Sequence, residues 1–455
     1  MNSTITWLKR IGGLFFTVLV PFLSTAQDNS PYSRYGIGDV VPNHNISNRA
    51  MGGITAGYSV DSAMDQVPVS SLNLSNPASL GSFSKRSYIN VLFDVAGEVD
   101  RRNLKSNISP QKYTSTNTNI SYIQLGFPIA GKKMEEKGVQ WGVSFGLRPV
   151  TRINYKISEN KRLTNIDTVQ YIYEGNGGVS QANISTGVRI KNFSFGISTG
   201  YSFGSKDYST KLQFLNDTVQ YYSSNSASLT RFGGMFLTLG TQYHIKTKKG
   251  YLQLGAYANL GQNLTAKRDS IDETFGYDFS GGTYTIDTVA YASDIAGKIK
   301  LPASYTFGFV YTDNHWLLGA DFNIANWSTY RYYNQKDPSV KNNWTFRVGG
   351  QYYPYTKNTI IKNYWQLVKY RAGLYLGPDY INLGSKRNEY GLTLGGGFPL
   401  TNVQRMGFGE FVTLNTSVEF GIRGNKDSRS FRESTNRFSI GISMGQRWFQ
   451  KRKYD

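Results

Sequence analysis

The sequence predicts an all-β fold: a transmembrane antiparallel β-barrel of about fourteen strands, with an N-terminal plug, or hatch, in its lumen. Three observations carry this. The last strand-like run, Phe438-Ser-Ile-Gly-Ile-Ser-Met-Gly-Gln-Arg-Trp-Phe449, alternates large apolar with small or polar side chains and finishes on two aromatics. An apolar-outward strand ending in an aromatic pair suits a barrel wall in lipid, with the rings at the interface. The same alternation recurs in about fourteen segments from residue 86 onward. The connections also alternate, short turns on one rim and long polar loops on the other, an asymmetry that a soluble sandwich or propeller has no reason to keep.

Composition agrees with a β wall, with 33 Tyr, 26 Phe and 48 Gly against 13 Pro. With no cysteine, neither a disulfide framework nor a thiolate metal site can form. His44, His244 and His315 are far apart, which reads as isolated surface histidines rather than metal ligands. No cofactor is implied. The formal charge of +20 is spread through turns and strand ends, denser only at Lys246-Thr-Lys-Lys249 and Lys451-Arg-Lys453. Anionic lipid headgroups suit that spread better than nucleic acid does.

In chain order, residues 1–26 read as a secretory signal peptide: Lys9-Arg10, an apolar run from Ile11 to Leu23, then Ser24-Thr25-Ala26. The run is too short to cross a bilayer as a helix, which takes about 20 apolar residues. A membrane-embedded form of this chain therefore has to be a barrel in the outer membrane of a Gram-negative cell. Residues 27–84 are rich in Gly, Ser, Asn and Pro without sustained alternation, and form the plug. Residues 85–449 form the barrel, and 450–455 a periplasmic tail. Lys191-Asn192, 246–250 and 312–315 are tight turns, whereas 97–112, 155–179, 205–227, 262–298 and 329–342 read as long outer loops. Charges within strands, such as Arg189, Glu419 and Arg423, should face the lumen, because facing lipid at midplane costs about 2–4 kcal/mol for Arg.

Asn76-Pro77-Ala78 shortly before the first strand and Arg49-Ala-Met-Gly52-Gly53 upstream of it resemble the plug motifs of FadL-type outer-membrane transporters of long-chain fatty acids and other hydrophobic compounds. The Gly-rich stretch Glu174–Gln181, Leu301-Pro302, and Asp321 with Trp327-Ser328 resemble further recurring segments of that family. The resemblance spans about residues 30–449 and implies a hatch whose hinge and anchor are Arg49, Gly52, Gly53, Asn76, Pro77 and Ala78. It also implies passive uptake of a hydrophobic or amphipathic small molecule, by a lateral or a luminal route. Two departures stand against a fatty-acid substrate: no long loop carries an apolar capture cluster, and no kinked strand marks a lateral gate. The competing reading is a non-transporting subunit of a larger outer-membrane secretion or protein-assembly complex. Trp448 and Phe449 resemble the C-terminal aromatic signal read by barrel-assembly machinery.

An enzyme is not expected. Gly142-Val-Ser-Phe-Gly146 and Gly200-Tyr-Ser-Phe-Gly204 match a nucleophile elbow, but that motif needs a strand-to-helix turn and both lie inside alternating strands. Gly395-Gly-Gly397 lacks the helix and Lys-Ser/Thr of a phosphate loop, and reads as a strand packed closely against the plug or a neighbouring strand.

Overall fold

Successive side chains on a strand point to opposite faces, and here the two faces differ in kind along almost every strand. In the last strand Ser439, Gly441, Ser443 and Gly445 are buried inward while Phe438, Ile440, Ile442 and Met444 are half-buried or exposed outward. The structure, a computed structural model, describes residues 30–59, 71–83, 91–105, 113–164, 167–215, 221–280, 282–355, 360–401, 410–425 and 431–446. The segments expected to be a signal peptide and a tail, and Trp448 and Phe449, lie outside them.

Fourteen antiparallel wall strands close on themselves. They are β1 (Val91–Lys105), β2 (Tyr113–Pro128), β3 (Val139–Arg162), β4 (Thr168–Ile190), β5 (Phe193–Phe214) and β6 (Ser223–Lys246). Strand β7 runs through Tyr251–Asn259 and Gln262–Tyr277, and β8 through Thr283–Leu301 and Ser304–Thr312, with Pro302 in its break. There follow β9 (Trp316–Ala325), β10 (Asn343–Tyr352), β11 (Lys369–Pro378), β12 (Asn388–Pro399), β13 (Phe411–Arg423) and β14 (Arg432–Gln446). The closing seam pairs β14 with β1 from Arg432↔Lys105 to Gln446↔Val91, so the ends of the sheet satisfy each other.

The wall has two heights. Ser304 of β8 pairs with Ala325 at the top of β9, and the Thr283–Leu301 part of β8 rises beyond it. Strands β3 to β6 are likewise 22 to 24 residues long. The segments expected to be long outer loops are therefore largely strand. Stretch 262–298 is a β-hairpin, and most of 155–179 and 205–227 continues β3 to β6. Thr, Tyr, Ile and Val, which tolerate a pleated half-exposed surface, carry the ladders upward despite the polarity.

The N-terminal segment, 30–59 and 71–83, threads the interior and touches strands on every side. Its backbone comes so close to the wall that inward positions must lack a side chain. A Cβ on Gly255 would sit 1.9 Å from the Ala56 carbonyl oxygen, and one on Gly373 2.2 Å from the Gly52 nitrogen. Gly196 and Gly349 meet Ala78 and Met51 as closely. The G-x-S-x-G match at Gly142 thus gains a structural reason: a Cβ there would sit 2.5 Å from the Leu80 carbonyl oxygen, so Gly142 seats this segment. A Cβ on Gly395 would meet the Ala50 side chain at 2.6 Å and the Thr416 carbonyl of β13 at 2.2 Å, the close packing expected of the triple glycine.

Candidate functional site: a charged lumen beside an opening in the wall

The residues singled out as hinge and anchor fall into two groups, both tightly held. Asn76 caps the 3-10 helix Pro77–Ser82, its Oδ1 accepting from the Ala78 N–H at 3.1 Å while its Nδ2 donates to the Ala56 carbonyl at 2.8 Å. Arg49 closes a one-turn helix, Ile46–Arg49, and its guanidinium reaches Glu98 of β1 and the carbonyls of His44 and Pro42. Gly52 and Gly53 follow with φ of 69° and 85°, a region that suits glycine, and Gly52 donates its N–H to Thr393 of β12. A Cβ on Gly53 would meet the His44 ring and Arg347.

More of the attachment comes from residues that sequence reasoning passed over or read otherwise. Asp321 of β9, noted only as part of a recurring segment, accepts from the Thr55 and Ala56 N–H groups at 2.6 and 2.9 Å. Asp39 lies between two arginines, Arg102 of β1 at 2.6 Å and Arg423 of β13 at 2.8 Å. Arg423 goes on to Asp379, which also pairs with Arg387 at 3.0 Å. Burial works to raise the Asp39 pKa, but the two guanidinium groups outweigh it and hold the carboxyl below its usual range. No acid near Asp39 in sequence announces this ladder, because its members lie up to 384 residues apart.

Above the segment, the 326–342 connection folds inward. Trp327 stacks on Tyr380 with centroids 4.5 Å apart, and the Tyr330 and Tyr380 hydroxyls donate to the Gly36 and Gly38 carbonyls. With Tyr32, Ile37 and Ile381 they form a buried apolar cluster over the lumen. Below it lies a cavity of about 340 Å³. Arg49, Arg102, Arg148, Arg347, Arg423 and Arg437 line it together with Asp39, Glu389, Glu419 and Glu433, and apolar contacts come from Val40, Val150, Leu301 and Ile422. Glu419 and Arg423 thus face inward as expected; Arg189 sits near the short-turn rim, its Nε donating to the Lys191 carbonyl.

Beside this cavity the wall is interrupted. Strands β2 and β3 pair over only six positions, Ile123↔Leu147 to Pro128↔Gly142, against fifteen at the closing seam. Beyond them Tyr113–Tyr122 and the upper part of β3 share no ladder among the described residues. Asp39 and Val40 instead add a short antiparallel strand to β3 at Arg152 and Thr151. The Arg152 guanidinium crosses the opening to the Ile120 carbonyl and to Glu98. No kinked strand marks a gate in the sequence, and the irregularity here is one of pairing between β2 and β3. Pro149 has no N–H to donate, and the β3–β4 ladder shifts register there, between Pro149 and Thr151.

The histidines also need correcting. His44 and His244 are buried, and the His315 ring bonds the Tyr353 carbonyl. His44 sits among Arg49, Arg148 and Arg347, and burial with those charges pushes it well below its usual pKa. His244 lies 3.4 Å from Ser194 Oγ and 2.9 Å from Gln253 Nε2. An amide donating to Nδ1 leaves the proton on Nε2, so the ring donates to the serine instead of activating it. That is the wrong polarity for a nucleophile. The elbow-like serines Ser144 and Ser202 bond to glutamines, not histidines. No cluster that could hold a metal ion occurs among the described residues.

The fold is that of a closed fourteen-strand antiparallel barrel with its N-terminal segment packed inside and an interrupted ladder between β2 and β3. The chain is similar in fold to a Pseudomonas aeruginosa FadL homologue, with TM-score 0.54 and 12% identity over 91% of this chain and 100% of that one. It is similarly close to the P. putida toluene transporter TodX, with TM-score 0.53 and 15% identity over 90% and 100%. At such identities the likeness is one of fold. Among curated proteins, none matches the sequence. The BamG family model matches residues 8–455, and the chain belongs to the BamG family.

Proposed function

We propose that this chain is a plugged outer-membrane barrel that passes amphipathic small molecules between the luminal cavity and the opening in the β2–β3 wall. One observation carries the reading: the ladder is broken where the cavity, with both charged and apolar lining, abuts the wall. A wholly apolar solute would have to shed water beside unmatched charge, whereas a molecule with one polar end has partners for both ends. The outward apolar band, with Phe195, Leu374 and Phe438 exposed, supports the membrane setting. The plug is the N-terminal segment, and its attachment at Gly52, Gly53 and Asn76 decides whether the lumen is closed.

Uptake of a fluorescent long-chain carboxylate by cells tests this. Arg152→Ala removes the bridge across the opening and should raise uptake several-fold, and deletion of residues 50–54 should raise it further without loss of the folded barrel. Uptake equal to that of cells lacking the protein, in the wild type and both variants, would sink the proposal.

A second reading, a non-conducting subunit of a larger outer-membrane secretion or protein-assembly complex, is favoured by the ion-pair ladder through Asp39 and the inward-folded 326–342 connection. Both hold the lumen shut. Purification in mild detergent separates the readings: partners in fixed stoichiometry support the subunit, and bound lipid in the lumen supports transport.

A further inference from the structure

The tall part of the wall ends in a free edge. Thr283–Leu301 pairs with Gln262–Tyr277 on one side. On the other, strand pairing begins at Ile299↔Tyr332 and Tyr333 donates to the Lys298 and Ile295 carbonyls, so only 283–294 has no registered strand there among the described residues. The stretch Thr283-Tyr-Thr-Ile-Asp-Thr-Val-Ala-Tyr-Ala-Ser-Asp294 is β-branched and aromatic, with no Pro and no Lys. These are the residues that usually blunt an edge, and their absence leaves backbone groups able to receive another strand. Tyr284, Val289 and Tyr291 are 54%, 72% and 67% exposed, far from the lipid-facing band.

Charge narrows the occupant. Between residues 269 and 294 the chain holds Asp269, Asp272, Glu273, Asp278, Asp287 and Asp294 and no Lys or Arg, although the whole chain is +20. Asp269 and Asp294 are met by Arg231 and Lys267, and Glu273 accepts from Asn225 and Thr285. Asp272 and Asp287 lie exposed in register with Ala290 and Thr274. An acidic ribbon is repelled by anionic headgroups. Two such ribbons edge to edge would set like charges opposite one another, which disfavours a second copy.

We infer that the 283–294 edge is a docking strand for an extended, basic β-segment of a partner protein, which continues the sheet outside the membrane. Register shifts between Thr285/Asp287, Thr288/Ala290 and Ala292/Ile295 bend the ribbon, so an incoming strand has to follow its twist. The inference goes beyond the transport reading and does not depend on the β2–β3 opening.

A synthetic twelve-residue peptide alternating Lys with Val and Tyr is the probe, added to the full-length protein in detergent. Binding should slow amide hydrogen exchange in 283–294 by about tenfold or more and weaken as salt rises. Paired Asp272→Lys and Asp287→Lys substitutions, and Val289→Lys alone, should each abolish that protection. All three positions are exposed, so the barrel should keep its heat-modifiable mobility on gels. The same peptide with Glu for Lys should not protect. Equal protection in the variants, protection elsewhere but not at 283–294, or dimerisation through the ribbon in sedimentation would overturn the inference.

Discussion

Asp321 shows how one inward side chain can anchor a segment that has little secondary structure of its own. The Thr55 and Ala56 N–H groups have no ladder partner, and a buried unpaired donor is costly, so the carboxylate supplies what the chain cannot. Asp321→Asn keeps the shape and loses the charge. It should weaken attachment of the segment by about 1–3 kcal/mol, the difference between a charge-assisted and a neutral hydrogen bond. Amide exchange across 50–59 would measure that, with the barrel ladders as internal reference. The need for glycine at 52 and 53 was legible from the Gly-Gly pair. What it accommodates, the His44 ring and the Val348 and Leu374 carbonyls, was not.

At the scale of elements, the N-terminal segment and the wall are fitted by omission of side chains. Gly373→Val would drive a branched side chain into the Met51–Gly52 backbone. Its outward neighbours Leu374 and Ala372 would keep their places in the β10–β11–β12 ladders. The expected outcome is a folded barrel whose N-terminal segment is displaced, seen as new protease cleavage within 30–59 while the barrel resists. Cleavage unchanged from the wild type would mean that the segment can shift without release. The strand count and the closing pair were legible because alternation has a period of two and each strand reports its own faces. The height of β3 to β8 was not, because the same Ser, Thr and Tyr suit loops and exposed strands alike.

For the whole molecule, acid should loosen the lumen before the wall. His44 is held well below its usual value, so an unfolded segment takes up protons below about pH 6.5 that the folded one refuses, and stability falls from there downward. Asp39 and Asp379 are held below their usual range by arginines once burial is outweighed. Their contribution is complete above about pH 4 and is lost as the pH falls through their lowered values. Exchange across 30–59 should therefore rise in two stages on acidification while the interstrand amides stay protected. His44→Gln should flatten the upper stage and Asp39→Asn the lower. A single transition shared by segment and wall would refute the separation.

The sequence by itself determined the barrel: alternation, turn parity and inward charge are local properties, each set by where a side chain must point on a strand with an apolar outer and a polar inner face. Tertiary structure decided the rest. The ion-pair ladder joins Asp39 to Arg423, the opening depends on which strand β3 fails to pair with, and the free edge of β8 depends on the shortness of β9. Each is a relation between residues far apart in the chain, made by closure of the sheet, and no periodicity within a strand encodes it.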